Sequence, residues 1–215
     1  MNQYNLLIAC DKAYYEKWGI IFLKSLQYHV PWLSLHCHLV NVSETTKLDY
    51  VDYTHETTEF VNDDQRLGYL QAVRFLVVAD KFKNNESVIT LDCDSLCVNS
   101  FSQKNFKTLF EKQYVLQHLK DSKWLAGFVT FKDNYFRQIY SNKLRSIPID
   151  EFPRGWDQTV MKMIAEECEF AALSRKWISI GKHKNDSIFI TFKGSQKYKE
   201  KYIEIYNSFV NKDQY

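Results

Sequence analysis

The segment from Ser87 to Val98, SVITLDCDSLCV, constrains the fold more strongly than any other part of this sequence. Its apolar start predicts a central strand that is buried in a sheet. Two ionised carboxylates, Asp92 and Asp94, would cost on the order of several kcal/mol inside such a sheet. We therefore expect both acids to emerge at the carboxyl end of the strand and to face a cleft.

The spacing of these acids suits a divalent cation. If the strand continues through them, Asp92 and Asp94 share one face about 7 Å apart, and Cys93 points to the other face. Such a pair can share a hydrated cation, and open α/β sheets bind ligands outside the carboxyl ends of their strands. The alternative is a transition from strand to turn whose acids are only solvated or cap the next turn, because Asp-x-Asp is a short pattern.

The rest of the chain alternates short apolar segments with segments of helical periodicity, which predicts an α/β fold with a mostly parallel central sheet flanked by helices. Further strands are predicted at Tyr4–Cys10, Leu35–Val42, Tyr114–Gln117, Leu125–Phe131 and Ser187–Phe192. Helices are predicted at Tyr15–His29, Arg66–Phe82, Asn134–Arg145, Asp157–Glu167 and Tyr198–Phe209. The polar stretch Ser43–Asp64 is expected to be a surface connection.

The composition argues against several classes of protein. With 215 residues, 45% of them hydrophobic, the chain can form one compact domain over residues 1–215. Its formal charge of +2 is too small for a protein whose main task is to bind nucleic acid. Five cysteines without a CxxC pair fit reduced thiols in the cytoplasm. Neither a signal peptide nor a transmembrane segment is expected.

Three stretches of the sequence together resemble one enzyme family. They are NLLIACDKAYY before a predicted helix, AVRFLVVADKF leading into SVITLDCDSLCV, and AGFVTFK followed later by GWDQTV. Their order and separation are similar to those of GT-A-fold glycosyltransferases, especially the retaining group that includes glycogenin and the bacterial lipopolysaccharide galactosyltransferases. The likeness covers most of the chain, and it implies a nucleotide-binding half over about residues 1–100 and an acceptor and catalytic half over about residues 101–215.

The resemblance implies an activity as well as a fold. Such enzymes are metal-dependent and move a hexose from a nucleotide-sugar, by default a UDP-sugar, to a hydroxyl group. The acceptor is a glycan, a lipid or a protein.

The resemblance also assigns residues around the base of the donor. Ala9, Cys10, Asp11 and Tyr15 would lie near the nucleobase, and the ring of Tyr15 would stack on it. Ordinary packing at the start of a helix is an equally good interpretation of Tyr15.

Around the diphosphate, Asp94 would bind Mn²⁺ or Mg²⁺ directly, and Asp92 would contact the ribose or a water on the metal. Arg74 matches an arginine that steadies the donor or the first aspartate. On physical grounds alone, an arginine among apolar neighbours needs a carboxylate or phosphate partner, and a solvated helix cation is the alternative.

Around the sugar, Ala126 and Gly127 resemble a turn of small residues that lets the backbone approach the donor, although a glycine in a strand also fits a bulge. Asp157 would hold a sugar hydroxyl and Gln158 would lie beneath the anomeric carbon, so both are the candidate catalytic residues. By its position in the sequence, Asp157 is also expected to be the N-cap of a helix.

One part of the pattern departs from the family. Its relatives have a histidine metal ligand near the C-terminal end, where this chain has Thr191. Lys193 or Lys197 is a candidate for the diphosphate, with a solvated charge as the alternative, and His183 is a candidate replacement ligand.

The residues leave alternatives open for the reaction. Retention of configuration is expected from the resemblance, with attack on the same face assisted by the leaving phosphate. Inversion would need a general base, for which Asp157 and Asp121 are candidates. A haloacid-dehalogenase-type phosphatase also places Asp-x-Asp after an apolar strand, with the first acid as nucleophile. A nucleotide-sugar-binding module without activity is the third possibility.

Overall fold

The structure, a computed structural model, describes residues 4–83, 86–117, 123–180, 186–191 and 196–210. The strands are β1 (Tyr4–Asp11), β2 (Ser34–Val40), β3 (Val51–Glu56), β4 (Ser87–Leu91), β5 (Ser95–Cys97), β6 (Tyr114–Gln117), β7 (Trp124–Phe131), β8 (Ala171–Ala172), β9 (Ile178–Ile180) and β10 (Phe189–Thr191). The helices are α1 (Lys12–Tyr14), a π-helical turn (Tyr15–Gly19), α2 (Ile20–His29), α3 (Asp63–Lys81), α4 (Gln103–Lys107), α5 (Asn134–Leu144), α6 (Trp156–Ala165) and α7 (Gln196–Val210), with 3-10 turns at Thr108–Phe110 and Ile149–Glu151.

A seven-stranded sheet in the order β3-β2-β1-β4-β7-β6-β8 forms the centre of the molecule. Strands β3, β2, β1 and β4 are parallel, whereas β7 runs antiparallel to both β4 and β6. A second, three-stranded sheet has the order β5-β10-β9. The prediction of an α/β fold with a mostly parallel central sheet is therefore confirmed.

Strand β3 corrects the expectation that the stretch from Ser43 to Asp64 is only a surface connection. It pairs in parallel with β2 from Val51 to Glu56. Of its six residues only Val51 is buried, because β3 is an edge strand whose side chains largely face solvent. Hydrogen bonding to β2 makes this polar segment a strand, and no apolar pattern in the sequence indicates it.

Helices cover both faces of the central sheet and enclose two apolar cores. On one face, Phe22 and Leu26 of α2 pack in a cluster with Ile8 of β1. On the other face, α3, α5 and α6 pack on the sheet through residues such as Phe75 and Tyr140. Full burial of one such large apolar side chain stabilises the fold by about 1.5–3 kcal/mol, so both faces contribute to holding the strands in place.

Helix α3 lies unusually close to the loop before α6. A Cβ atom on Gly68 would lie 2.4 Å from the carbonyl oxygen of Phe152, so only glycine permits this approach. Among the described residues, no helix is both long enough and apolar enough to cross a membrane.

Candidate active site

The two acids lie in a turn directly after β4, which corrects the geometry expected for a continuous strand. The backbone N–H of Ser95 donates to the carbonyl of Asp92 at 3.0 Å and closes the turn. Because the strand ends at Leu91, the alternation of faces does not apply to Asp92 and Asp94. Both acids are half-buried at the carboxyl end of β4, because full burial of their charges would be costly. The local structure is therefore the transition from strand to turn that the sequence left open as an alternative.

Cys93 anchors this turn in the core. Its side chain is buried in the same apolar cluster as Cys10 of β1 and Cys37 of β2. A hydrogen bond with Cys10 and burial raise the pKa of the Cys93 thiol well above its usual range. A protonated, buried thiol behaves as a small apolar group, so Cys93 holds the turn while the carboxylates on either side remain accessible.

Arg74 of α3 joins three elements of the site. Its Nη1 donates to Oδ1 of Asp92 at 2.7 Å. Its Nη2 donates to the carbonyl oxygen of Ala126 in β7 at 3.0 Å and lies 3.5 Å from Oδ2 of Asp157 in α6. Burial by itself lowers the pKa of Arg74, but the carboxylates of Asp92 and Asp157 offset it and the pKa is raised. The guanidinium therefore has the carboxylate partner that the sequence predicts.

Asp157 is buried in the first turn of α6, with 6% of its surface exposed. The N-cap of this helix is Gly155, so the prediction of Asp157 as N-cap is wrong. Gly155 has a φ of 79°, a left-handed conformation that favours glycine, and its N–H donates to the side chain of Gln71 at 2.8 Å. This start to the helix turns Asp157 inward, where Oδ1 accepts from the N–H of Gln158 at 2.7 Å.

Gln158 fixes α6 to the edge of β7. Its Oε1 accepts from the N–H of Ala126 at 3.0 Å, and its Nε2 donates to the carbonyl of Trp124. Gly127 lies beside this contact, and its carbonyl accepts from the N–H of Asp92 at 3.2 Å. The structure therefore brings together Arg74, Asp92, Ala126, Gly127, Asp157 and Gln158.

A separate cavity of about 280 Å³ lies where β1 and β2 end. It is lined by Asp11, Lys12, Ala13, Val40, Asn41, Phe60, Arg66 and Leu70. Ala9 of β1 is buried in the same core as Val40, which lines the cavity, whereas Cys10 is buried in the core on the other face of the sheet. The side chain of Cys10 therefore does not face this cavity, contrary to its expected place near the base. Hydrogen bonding with Cys37 and burial raise the pKa of the Cys10 thiol, so this side chain is neutral.

Tyr15 does not offer a ring face to a ligand in this structure. Its ring is fully buried, and its hydroxyl bonds with the hydroxyl of Tyr53 at 2.6 Å and with the carbonyl of Thr46 at 2.9 Å. Stacking on a base would require the ring to leave this packing. Tyr14, the preceding residue, is 36% exposed at the same strand end. A π-helical turn follows Tyr14, so regular α-helical spacing in the sequence does not show which of the two tyrosines is buried.

The donor set around the acid turn fits Mn²⁺ or Mg²⁺ together with a diphosphate. Within the described parts of the chain, no group of three His, Cys, Asp or Glu side chains is placed to hold a metal. Mg²⁺ commonly uses one or two carboxylates and completes its coordination with water and substrate phosphates. Asp94 and Asp92 supply such carboxylates, although one oxygen of Asp92 already accepts from Arg74.

Thr191, at the position where the resemblance led us to expect a histidine, lies next to this turn. It is fully buried in β10 and pairs with Ser95 across the small sheet. Within the described residues its hydroxyl has no hydrogen-bond partner. His183, Lys193 and Asp121 lie outside the described residues, as does the side chain of Lys197.

Two further polar residues of the site have no motif in the sequence. Arg66 forms an ion pair with Asp11 across 55 positions. The hydroxyl of Tyr140 in α5 donates to the backbone carbonyl of Asp157 at 2.6 Å. Both contacts depend on how α3 and α5 pack on the sheet. In the sequence, a polar group on a helix is the only indication that such a contact exists.

Comparison with known proteins identifies the fold. No protein-family model matches the sequence, and no curated protein matches it. A crystal structure of the galactosyltransferase LgtC, in complex with donor and acceptor sugar analogues, matches with a TM-score of 0.64 and 11% identity, over 95% of each chain. An active-site mutant of LgtC, with glutamate in place of glutamine, matches with a TM-score of 0.64 and 10% identity over the same share of each chain. The chain therefore has the GT-A fold of these galactosyltransferase structures.

Proposed function

We propose that this chain is a metal-dependent glycosyltransferase that moves a hexose from a nucleotide-sugar, preferably a UDP-sugar, to a hydroxyl of a glycan, lipid or protein. One observation carries the proposal. Buried Arg74 joins Asp92 at the end of β4 with β7 and with Asp157 of α6, at the edge of a GT-A sheet where ligands bind. The galactosyltransferase fold favours a transferase over the phosphatase alternative.

The donor is proposed to extend from the cavity at the ends of β1 and β2 to the acid turn at the end of β4. The base enters the cavity beside Asp11, and Tyr14 takes the stacking role first expected of Tyr15, because its ring is exposed. Ala9 lies on the cavity side of β1, and Cys10 supports the same strand end from the opposite face of the sheet. Lys197 remains a candidate for the diphosphate, because α7 begins at Gln196, a few residues after β10.

Asp94 and Asp92 would hold Mn²⁺ or Mg²⁺. When bound, the cation supplies electrostatic stabilisation of the diphosphate as it leaves. Arg74 orients Asp92 and adds a fixed positive charge near the same place. Ala126 and Gly127 are small enough to let the sugar approach this part of β7, although their carbonyls already accept from Arg74 and Asp92.

The surroundings of Asp157 support retention of configuration. A general base must reach the proton of the acceptor hydroxyl. Asp157 is nearly buried, and its two oxygens already contact Arg74 and the N–H of Gln158. Asp157 and Gln158 are therefore proposed to position the sugar, with attack assisted by the leaving phosphate. The presence of an active-site glutamine in LgtC agrees with a role for Gln158.

The test is a radiolabelled transfer and hydrolysis assay with a panel of nucleotide-sugars, with and without Mn²⁺. Turnover of one donor with Mn²⁺, lost in Asp94→Asn and retained in the exposed control Asp49→Asn, is the expected result. Nuclear magnetic resonance of the product then gives its anomeric configuration. Tight donor binding without transfer or hydrolysis would instead establish a binding module, and phosphate release from simple phosphate esters would establish a phosphatase.

The proposed function also suits a particular division of the domain and a cytoplasmic location. Residues up to about 100 carry the base cavity and the acid turn, and the following residues carry β7 and α6, which suits a donor half and a catalytic half within one domain. The five cysteines are all free, four of them buried, in agreement with a cytoplasmic location.

A further inference from the structure

Helix α6 lacks the usual internal contact that fixes the first residue of a helix. In a capping box, the side chain of the third helical residue, often Glu or Gln, bonds back to the N–H of the N-cap. The third residue of α6 is Gln158, but its amide is bonded to Ala126 and Trp124 of β7 instead. The N–H of the N-cap, Gly155, therefore needs a partner from another part of the chain.

Gln71 of α3 is that partner. Its Oε1 accepts from the N–H of Gly155 at 2.8 Å. Gly68 and Arg74 lie one turn before and one turn after Gln71, and residues at this spacing are neighbours on a helix surface. Gly68 lies against the backbone of the loop before α6, and Nη2 of Arg74 lies 3.5 Å from Oδ2 of Asp157. Helix α3 thus contacts the start of α6 at three successive points, of which Gln71 is the middle one.

The bond from Gln71 matters because little else fixes Gly155. No atom lies within 4 Å of a Cβ placed on this glycine, so packing does not hold it on that side. Its φ of 79° sets the direction in which α6 leaves the loop, and Asp157 and Gln158 follow directly in the first turn. A shift of Gly155 would therefore move both side chains, and a misplacement of about 1 Å can cost on the order of 100-fold in rate.

We propose that Gln71 is a positioning residue for Asp157 and Gln158, which it places by holding the N–H of Gly155. The inference rests on the proposed function, in which those two residues position the donor sugar. Gln71 acts through the backbone of α6 and does not need to contact the donor. Loss of its amide oxygen should therefore slow turnover while the sites of the base and the diphosphate stay intact.

The experiment compares Gln71→Met with Gln71→Glu. Methionine has a similar length but no oxygen acceptor, whereas glutamate keeps the acceptor and its charge suits the N-terminus of a helix. With Mn²⁺ present, kcat and KM are measured for the nucleotide-sugar of the panel that the wild type turns over fastest. Calorimetry gives the affinity for the corresponding nucleoside diphosphate, which is UDP for a UDP-sugar.

We expect Gln71→Met to lower kcat by roughly 3- to 10-fold, the effect of one lost hydrogen bond, and to leave the affinity for the nucleoside diphosphate unchanged. Gln71→Glu, which retains the bond, should keep kcat within about twofold of the wild type.

The control variant is Gln113→Met. Gln113 also bonds the backbone through its side chain, because its Nε2 donates to the carbonyl of Thr130. That contact lies at the opposite end of β7 from Trp124, which Gln158 bonds. Gln113→Met should therefore leave kcat unchanged. Far-UV circular dichroism and thermal melting of each variant show that it has folded.

Three outcomes overturn the role of Gln71. They are an unchanged kcat in Gln71→Met, a kcat in Gln71→Glu as low as in Gln71→Met, and a loss that is equally large for nucleoside diphosphate affinity or in Gln113→Met, which would mean a general loss of structure. Turnover by the wild type together with any of these results overturns this inference alone. Failure of the wild type to turn over any nucleotide-sugar of the panel would overturn the proposed function as well.

Discussion

Arg74 donates a hydrogen bond of 2.7 Å to Asp92, and only 6% of the arginine side chain is exposed. Removal of one partner of a buried ion pair leaves an uncompensated charge, at a cost of about 3–5 kcal/mol. We expect Arg74→Met to lower the free energy of unfolding by this amount in urea denaturation. Arg145→Met, which breaks an exposed pair with Asp80, should cost about 1 kcal/mol or less. Equal losses in the two variants would contradict the structural role of Arg74.

Asp94→Asn should remove the Mn²⁺-dependent part of nucleotide affinity. A charge-assisted contact contributes about 1.5–3 kcal/mol, so calorimetry with UDP should show a loss of roughly 10- to 100-fold. Asp92→Asn should weaken binding and also destabilise the fold, because Arg74 loses its closest partner. Unchanged Mn²⁺-dependent affinity in Asp94→Asn would remove this residue from the metal site.

Mn²⁺ alone should bind weakly. Within the described residues the protein offers two carboxylates at the acid turn and no cluster of three ligands, so the phosphates must complete the coordination. A ligand that binds only the folded state raises its stability. Thermal melting should therefore show a clear shift with Mn²⁺ and UDP together, and little shift with Mn²⁺ alone. Tight, saturable binding of Mn²⁺ to the protein without nucleotide would show that further ligands exist.

Glu56 should make the free energy of unfolding depend on pH. Burial alone would raise its pKa, but the contact with Nε2 of His38 at 3.2 Å and the hydrogen bond from Tyr69 outweigh burial and lower the pKa from 4.5. Because the pKa is lower in the folded state, Glu56 stabilises the fold above about pH 4.5, and this contribution is lost as the pH falls through the folded-state pKa. Unfolding measured between pH 3 and 7 should show a smaller loss on acidification in Glu56→Gln than in the wild type. The exposed control Glu59→Gln should behave as the wild type does.

Gly155→Ala should destabilise the start of α6. No atom lies within 4 Å of a Cβ placed there, so the cost arises from the φ of 79° and not from a clash. That cost is about 1–2 kcal/mol for alanine and less for asparagine, which tolerates the left-handed conformation. Urea denaturation of Gly155→Ala and Gly155→Asn should give this order. The reverse order would mean that the backbone changes conformation.

The sequence predicts the strands and helices whose apolar residues match the faces that they bury. Strand β1, strand β4 and helix α3 have apolar patterns that match their packing, and the acids at the end of β4 must leave the sheet because burying them is costly. Strand β3 is missed because an edge strand depends on hydrogen bonds to its neighbour, which no local pattern encodes.

In the candidate site, too, some contacts can be predicted from the sequence and others cannot. The need of Arg74 for a carboxylate follows from its apolar neighbours, and Asp92 meets it. By contrast, the pairing of Arg66 with Asp11 depends on the angle between α3 and the sheet, which the sequence does not specify. Tyr15 is buried and Tyr14 is partly exposed because the helix after β1 begins irregularly.

The order of the parallel strands also sets a length for the ligand. Strand β1 lies between β2 and β4, so the far side of the cavity at the ends of β1 and β2 is about two strand spacings, or roughly 10 Å, from the acid turn. The thiol of Cys93, packed beside β1 and β2, prevents the turn from moving independently of those strands. A free base or a lone phosphate fills only one end of this span, and an elongated molecule with an aromatic head and a charged tail can occupy both.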